Sequence, residues 1–377
     1  MIAKDLTLID GAKKIVLLDP ANVRKYMPLG LAKISTYVKA RGGEVVFQKK
    51  YVPCGEDLVC ITSLFTWYAH KVHAAIDQVL SANTLFNPDL KILVGGTYAT
   101  LMPKHLEKLY PQVHIFKGCS RILDECAPDY TLDFNLEDKW NDISYIYTSR
   151  GCPNKCQYCS AWRIEPEQYI IEHWREHIHP NRSQVMINDN NLSSQSIDHI
   201  RSIFDYVRET GKKINLKNGF DCKYITDELA GMLGKMKFAS RGMRLSFDRI
   251  EEDGVFQGAV QKLLKAGVSR HNIMVYVLFN FNERVSEAVY RANECVKLGI
   301  APWPQEYTTM NKLDIHDKYL GKHWTPNLRA AFKLFYLFAG YYHNMTFLEW
   351  CMSPGKNNNI YNFTEDEIGR VKGEDIC

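Results

Sequence analysis

The chain has 377 residues, of which 46% are hydrophobic and 24% are charged. These proportions are typical of a globular protein with room for two domains, and they exclude a disordered or fibrous chain. The net charge is +4, without a basic tail, so the charge pattern does not indicate nucleic acid as a partner.

The N-terminal residues are polar and lead directly into a predicted strand, which is not the pattern of a secretory signal. The longest apolar stretch, at 330–342, is too short to cross a bilayer and contains Lys333. The 11 cysteines are an odd number, which favours reduced thiols over a disulfide framework. We therefore expect a cytoplasmic protein without a membrane partner.

The N-terminal third alternates short apolar strands with helices of amphipathic spacing. Strands are predicted at 13–19, 44–49, 57–65, 91–100 and 113–118, and helices at 30–43, 68–82 and 105–112. This alternation predicts an α/β domain over residues 1–130, with a doubly wound, Rossmann-like parallel sheet. Ligands of such sheets bind beyond the carboxyl ends of the strands.

A second alternating series follows an irregular, acidic linker predicted at 131–142. Its predicted strands are 144–149, 184–189, 213–219, 242–248, 272–280 and 302–309, with helices at 194–209, 226–236, 255–266 and 284–298. Six βα units in a row predict a partial (β/α)6 barrel of the TIM type over residues 143–312. The tail, 313–377, is predicted to be mainly helical, with its strongest helical segment at 326–342.

Three cysteines lie close together in the stretch SRGCPNKCQYCSAW, residues 149–162. Structural zinc takes four ligands, commonly as two separated pairs, and a redox dithiol would use only Cys156 and Cys159. An iron–sulfur cluster held by three thiolates instead keeps one iron open to another ligand. The stretch follows the first predicted barrel strand, where barrel active sites are built. Position and spacing therefore favour a [4Fe–4S] cluster held by Cys152, Cys156 and Cys159.

The spacing C-x-x-x-C-x-aromatic-C, formed by these cysteines with Tyr158, resembles the signature of the radical S-adenosylmethionine (SAM) enzymes. The resemblance implies reductive cleavage of SAM, a one-electron donor such as flavodoxin or ferredoxin, and a small-molecule substrate. It also implies that SAM contacts lie in the cysteine stretch and at the ends of the barrel strands. The candidates are Tyr158, Asp189, Asn190, Ser246, Asp248, Asn280 and Tyr307.

The N-terminal domain carries the motifs MPLGLAKIS (27–35), ITSLFTW (61–67) and VGGTYAT (94–100). These motifs resemble the cobalamin-binding-type domain that precedes the barrel in one class of radical SAM enzymes. The resemblance implies a cobalamin site and methyl transfer to an unactivated carbon. Its candidate contacts are Pro28, Leu29, Gly30, Ser63, Thr66, Gly95, Gly96, Thr97 and Thr100.

Two features depart from the cobalamin-binding pattern. Residues 19–30 contain no histidine to replace the lower base of cobalt, and KGCSR (117–121) stands where an acidic turn is usual. A cobalamin-independent radical SAM rearrangement, cyclisation or oxidation is therefore a second hypothesis. A third is a non-catalytic protein that uses a cluster for structure or sensing, although the open fourth position argues against it.

Overall fold

The computed structural model describes residues 6–374 except 22, 24, 88, 315, 317, 318, 339–343 and 354–361. The chain divides into two compact units, Met1–Asn190 with Thr309–Asp317, and Asn191–Thr308 with Lys318–Cys377. Parallel strands alternate with helices through most of the chain, so the predicted α/β class is confirmed.

The first sheet has five parallel strands in the order β2-β1-β3-β4-β5. These strands are β1 (Lys14–Leu18), β2 (Glu44–Gln48), β3 (Leu58–Thr62), β4 (Lys91–Gly95) and β5 (His114–Ile115). The helices are α1 (Thr7–Asp10), α2 (Leu29–Lys39), α3 (Ala69–Phe86), α4 (Thr97–Leu101), α5 (Pro103–Leu109), α6 (Arg121–Asp124) and α7 (Asp138–Asn141). The one-turn helix α7 lies within the segment predicted as an irregular linker.

Helices cover both faces of this sheet. Successive side chains of a strand point to opposite faces, so Ile15 of β1 packs in one core with Leu31 of α2, while Val16 packs in another with Val72 of α3. The central strands β1, β3 and β4 are largely buried, which explains their continuous apolar sequences, whereas the edge strands β2 and β5 are only partly buried. This sheet is consistent with the predicted Rossmann-like fold.

The segment 91–100, predicted as a strand ending in Gly-Gly, holds a strand and then a helix. β4 ends at Gly95, and α4 begins at Thr97 after Gly96, whose φ of +106° suits glycine. The backbone N–H of Tyr98 donates to the carbonyl of Ser63 at 3.2 Å, which fixes the start of the helix. The prediction that the strand ends in Gly-Gly is confirmed, and the helix that follows it was not predicted.

The second sheet has six strands in the order β13-β12-β11-β10-β9-β6. These are β6 (Ile143–Ile146), β9 (Gln184–Ile187), β10 (Lys213–Phe220), β11 (Phe238–Ser246), β12 (Ile273–Phe279) and β13 (Ala301–Glu306). Between them lie α9 (Ile197–Glu209), α10 (Asp227–Gly234), α11 (Val255–Lys265) and α12 (Val285–Lys297). All six predicted strands form, in a parallel sheet consistent with a barrel-like fold.

One feature between β6 and β9 was not predicted. The two-residue strands β7 (Ser149–Arg150) and β8 (Tyr169–Ile170) pair antiparallel, and the one-turn helix α8 (Ala161–Ile164) lies between them. Elements this short leave no periodic signal in the sequence. The pair brings the two ends of the cysteine-containing stretch together.

The tail contains three described helices, α13 (Pro326–Leu337), α14 (Phe347–Cys351) and α15 (Glu365–Lys372). Thr325 caps α13 by accepting a hydrogen bond from the N–H of Leu328 at 3.1 Å. The end of the predicted helix at 326–342 falls partly outside the described residues. Among the helices that the structure describes, none has the length and hydropathy needed to cross a membrane.

Candidate functional site

The three cysteines lie in residues 151–165, which we call the cysteine loop. The thiols of Cys152 and Cys156 are partly buried, that of Cys159 is exposed, and none of the three forms a disulfide. The N–H of Cys159 donates to the carbonyl of Cys156 at 3.1 Å, and the indole N–H of Trp162 donates to the same carbonyl at 3.2 Å. Hydrogen bonds within the loop therefore order the segment that carries the thiols.

The donor set of the loop is of the type that iron–sulfur clusters take. Across the described part of the chain, no three His, Cys, Asp or Glu side chains lie close enough to share one metal ion. A cluster divides its thiolates among several irons, so its ligands need not meet at one ion. Three soft thiol ligands on one short loop match the donor chemistry of such a cluster.

Asp189 lies buried behind the start of this loop. Its carboxylate accepts hydrogen bonds from the N–H and the hydroxyl of Thr148, at 2.7 and 2.6 Å, and from the hydroxyl of Ser149 at 2.6 Å. Burial raises the pKa of the Asp189 carboxyl, against the opposing effect of these bonds. The carboxylate predicted to contact SAM thus fastens the connection between β6 and β7.

Tyr158 and Asn190, the other predicted SAM contacts of this unit, are both partly buried. The strands that precede them, β6 and β9, are parallel neighbours in which Ile146 pairs with Ile187. The carboxyl ends of parallel neighbours lie at the same edge of a sheet. The cysteine loop and the segment with Asn190 therefore start from one edge, as the sequence predicts.

The second unit gathers four predicted residues at the carboxyl ends of its own strands. Ser246 is the last residue of β11, Asp248 follows it closely, and Asn280 and Tyr307 directly follow β12 and β13. These strands are parallel and adjacent, with Ser246 opposite Tyr276. Strand register thus places Asn280 beside Tyr307, since Phe279 pairs with Glu306, whereas Ser246 lies opposite a position four residues before Asn280.

Asn280 has a structural role within this group. It is fully buried with φ of +63°, its amide nitrogen donates to the carbonyl of Tyr319 at 3.0 Å, and its amide oxygen accepts from the N–H of Gly321 at 2.9 Å. The side chain therefore fastens residues 319–321 to the end of β12.

Asp248 and Tyr307 also have defined neighbours. The carboxylate of Asp248 accepts from the N–H of Leu278 at 3.3 Å. The ring of Tyr307 lies 4.6 Å from that of Phe281 and 4.9 Å from that of Tyr319, measured between centroids. Sequence analysis did not identify Phe281 or Tyr319, since neither ends a predicted strand.

In the first unit, two of the predicted cobalamin contacts, Ser63 and Thr100, bond to nearby backbone through their hydroxyls. The hydroxyl of Ser63 donates to the carbonyl of Gly95 at 2.7 Å and accepts from the N–H of Ala99 at 3.1 Å. The hydroxyl of Thr100 donates to the carbonyl of Gly96 at 2.8 Å and accepts from the N–H of Gly118 at 3.0 Å. These two hydroxyls are therefore committed to the fold.

Thr66 and Gly96 differ from this pattern. The hydroxyl of Thr66 is buried and has no hydrogen-bond partner among the residues that the structure describes. A Cβ at Gly96 would come within 2.7 Å of the carbonyl oxygen of Ser63, so the backbone that follows β3 occupies the space expected for a ligand. Of the four predicted hydroxyls, at Ser63, Thr66, Thr97 and Thr100, those of Ser63 and Thr100 are already bonded to nearby backbone, so the fit to a corrinoid is incomplete.

The remaining predicted contacts surround the starts of two helices. Pro28 is the N-cap of α2, and Leu29 packs against the core beneath it. Gly30 is exposed, and a Cβ there would meet no other atom within 4 Å. Thr97 begins α4 and is partly buried. These positions leave backbone accessible at the edge of the sheet.

Sequence analysis missed a set of buried charges beside the cysteine loop. Arg150 bonds to Asp124 and to Glu165, and Lys33 bonds to Asp124. All four side chains are buried. The available signal was a charged residue, Arg150, directly after an apolar predicted strand, but its partners lie in other segments.

The comparisons with known proteins give no further assignment. No protein-family model matches the chain, and no curated protein matches it either.

Proposed function

We propose that the protein is an enzyme of the radical SAM type, with a [4Fe–4S] cluster held by Cys152, Cys156 and Cys159. The observation that carries the proposal is three reduced thiols on one ordered loop that follows the first strand of a six-stranded parallel sheet. We interpret this sheet as the partial (β/α)6 barrel and the five-stranded sheet as the Rossmann-like domain that precedes it.

Cys152, Cys156 and Cys159 would hold the cluster, whose open iron would supply the one electron for cleavage of the C5′–sulfur bond of SAM into methionine and a 5′-deoxyadenosyl radical. The electron comes from an external one-electron donor such as flavodoxin or ferredoxin. The radical takes a hydrogen atom from a small-molecule substrate and becomes 5′-deoxyadenosine.

The other residues in the proposal bind and orient SAM. Tyr158, within the cysteine loop, and Asn190, shortly after β9, are both partly buried and can contact the cosubstrate. Asp248 and Tyr307 offer a carboxylate and an aromatic ring at the carboxyl edge of the second unit. We assign Asp189 to hold the start of the loop, because its oxygens already accept three bonds.

Cobalamin-dependent methyl transfer is the specific reaction that the motifs of the first sheet imply. Because the fit to a corrinoid is incomplete, the proposal rests on SAM cleavage and not on methyl transfer. A rearrangement, cyclisation or oxidation uses the same cluster and the same radical.

The proposal is tested by incubating reconstituted, anaerobic protein with SAM and dithionite. It predicts formation of 5′-deoxyadenosine and methionine in equal amounts. Protein that contains the cluster and yet forms neither product would instead support the hypothesis of a non-catalytic iron–sulfur protein.

A further inference from the structure

The two ends of the cysteine loop meet at Arg150, Gly151 and Glu165, which we call its neck. The carboxylate of one residue joins them there. Glu165, at the end of the loop, accepts a hydrogen bond from Nη1 of Arg150 at 2.8 Å and another from the N–H of Gly151 at 2.9 Å. One side chain therefore joins the two ends of a loop that contains all three cysteines.

A buried chain of alternating charges continues from this neck. Nε and Nη2 of Arg150 donate to the two carboxylate oxygens of Asp124 at 3.0 and 2.5 Å, and Nζ of Lys33 lies 3.3 Å from the same carboxylate. The four side chains are between 2% and 9% exposed. Burial alone would raise the pKa of Asp124, but the charges of Arg150 and Lys33, together with hydrogen bonds from Arg150 and Tyr169, lower it. The carboxylate is thus held ionised.

The backbone at the neck is tightly packed. Gly151 has φ of +80°, and a Cβ there would come within 2.4 Å of the carbonyl oxygen of Glu167. The antiparallel pairing of Arg150 with Tyr169 lies directly behind it. The guanidinium of Arg150 also lies 3.4 Å from the centroid of the Tyr147 ring. Packing and hydrogen bonds therefore fix the two residues that lead into Cys152.

Stability alone does not require this arrangement. Burying several charges costs solvation, and a buried ion-pair network is often no more stabilising than apolar residues of the same volume. Charged partners that form paired hydrogen bonds instead hold the side chains, and the backbone that carries them, in a fixed geometry. Ligands of a metal centre need such support from the residues behind them.

We propose that Glu165 is a positioning residue, which holds the cysteine loop in the shape that lets its three thiols bind one cluster. This inference rests on the proposed function, because it assigns Glu165 a role toward the proposed cluster. Asp124 and Lys33 act indirectly, because Asp124 holds the guanidinium of Arg150 in place and Lys33 bonds to Asp124.

The test compares Glu165→Gln with Glu167→Gln, a matched loss of charge two residues further on. Glu167 is 65% exposed and pairs with the exposed Arg121, so its loss should have little effect. Three measurements are made on the full chain. The first is the rate at which a ferrous chelator removes iron from reconstituted protein. The second is the change in the electron paramagnetic resonance spectrum of the reduced protein when SAM is added. The third is the rate of tryptic cleavage after the exposed Lys155 in metal-free protein.

In Glu165→Gln we expect iron release and cleavage after Lys155 to be about tenfold faster than in wild type, as for loss of one charge-assisted hydrogen bond. The spectral change with SAM should differ from that of wild type, and Glu167→Gln should match wild type throughout. Wild-type rates and spectra in Glu165→Gln would overturn the inference.

Two further outcomes separate the inference from its premises. If wild type takes up no iron, the proposed function and the role toward a cluster both fall, while the cleavage rates still decide whether Glu165 holds the loop. If Glu165→Gln does not fold, Glu165→Asp is measured instead, because it keeps the charge and withdraws the carboxylate by one methylene. Unchanged iron release, spectrum and cleavage in folded Glu165→Asp would contradict a dependence on this geometry.

Discussion

Asp189 accepts two hydrogen bonds from Thr148, one from its backbone N–H at 2.7 Å and one from its hydroxyl at 2.6 Å. Asp189, which lies shortly after β9, thereby fixes the position of Thr148, which lies shortly before the cysteine loop. A side chain selected from sequence as a SAM contact thus supports the loop from behind. Its neighbour Asn190 is left as the candidate contact.

This division of roles predicts different phenotypes for the two residues. Asp189→Asn replaces a buried acceptor of three bonds, so the free energy of unfolding should fall by about 1–3 kcal/mol. Asn190→Ala should leave that free energy unchanged and weaken SAM binding about tenfold, as for loss of one hydrogen bond. Urea unfolding and equilibrium binding of SAM measure the two effects. Loss of SAM affinity in Asp189→Asn, with normal stability and iron content, would restore Asp189 as the contact.

Thr66 offers a test of corrinoid binding that leaves the fold intact. Its hydroxyl is buried without a partner in the described part of the chain, so Thr66→Val should keep or raise the free energy of unfolding in protein without ligand. If the hydroxyl serves a corrinoid, the same substitution should reduce the amount of hydroxocobalamin retained through desalting. Thr36→Val, in α2, is the control.

Gly96 is less informative for this question than sequence alone suggests. A bulky residue there would strike the backbone of Ser63 and destabilise the sheet whether or not a corrinoid binds. Wild type should retain an equimolar amount of corrinoid if the first sheet is a cobalamin site. Wild type that retains none and still cleaves SAM would show that methyl transfer through cobalamin is wrong.

Asn280 should prove to be a stability residue. Asn280→Ala loses the bonds to Tyr319 and Gly321 and places alanine at φ of +63°, so we expect the free energy of unfolding to fall by about 2–4 kcal/mol. Asn280→Gly loses the same bonds without the strain and should be about 1 kcal/mol more stable than the alanine variant. Thermal or urea unfolding distinguishes them. Equal stability of the two variants would argue that the backbone is not strained.

Asp129 makes the stability depend on pH. Its carboxylate accepts from Ser35, Lys39 and Thr131, and although burial acts in the opposite direction, these bonds hold its pKa at about 2, below the ordinary 3.8. The unfolded chain therefore binds the proton more readily, and stability present above pH 4 is lost as pH falls toward 2. The whole contribution is about 2 kcal/mol, of which about 1 kcal/mol is lost between pH 7 and 3.

The measurement is the free energy of unfolding at pH 7 and at pH 3, for wild type and Asp129→Asn. The variant lacks the titrating group, so its loss of stability over this interval should be smaller by about 1 kcal/mol. An equal loss in both proteins would mean that other carboxylates carry the acid sensitivity.

The strands were predictable because burial on both faces leaves an uninterrupted apolar run, as in β1, where the predicted 13–19 became Lys14–Leu18. Helix α4 was not predictable, because its start depends on the carbonyl of Ser63, more than 30 residues away. Local sequence does not encode such a long-range partner.

The same limit applies to the candidate site. The spacing of the three cysteines is a local pattern, and the loop that carries it was found where the sequence placed it. The support for that loop comes from Asp124, Glu165 and Asp189, which approach it from three segments that only the folded chain brings together. These three acidic residues lie far apart in the sequence, and no local pattern indicates that they act together.

The central claim is a cluster held by Cys152, Cys156 and Cys159. The most direct measurement is the iron and acid-labile sulfide content after anaerobic reconstitution, for wild type and for the triple alanine variant at these positions, with Cys126→Ala as control. A [4Fe–4S] cluster predicts four irons and four sulfides per chain in wild type and in the control, and none in the triple variant. Four irons retained by the triple variant, or none bound by wild type, would contradict the assignment.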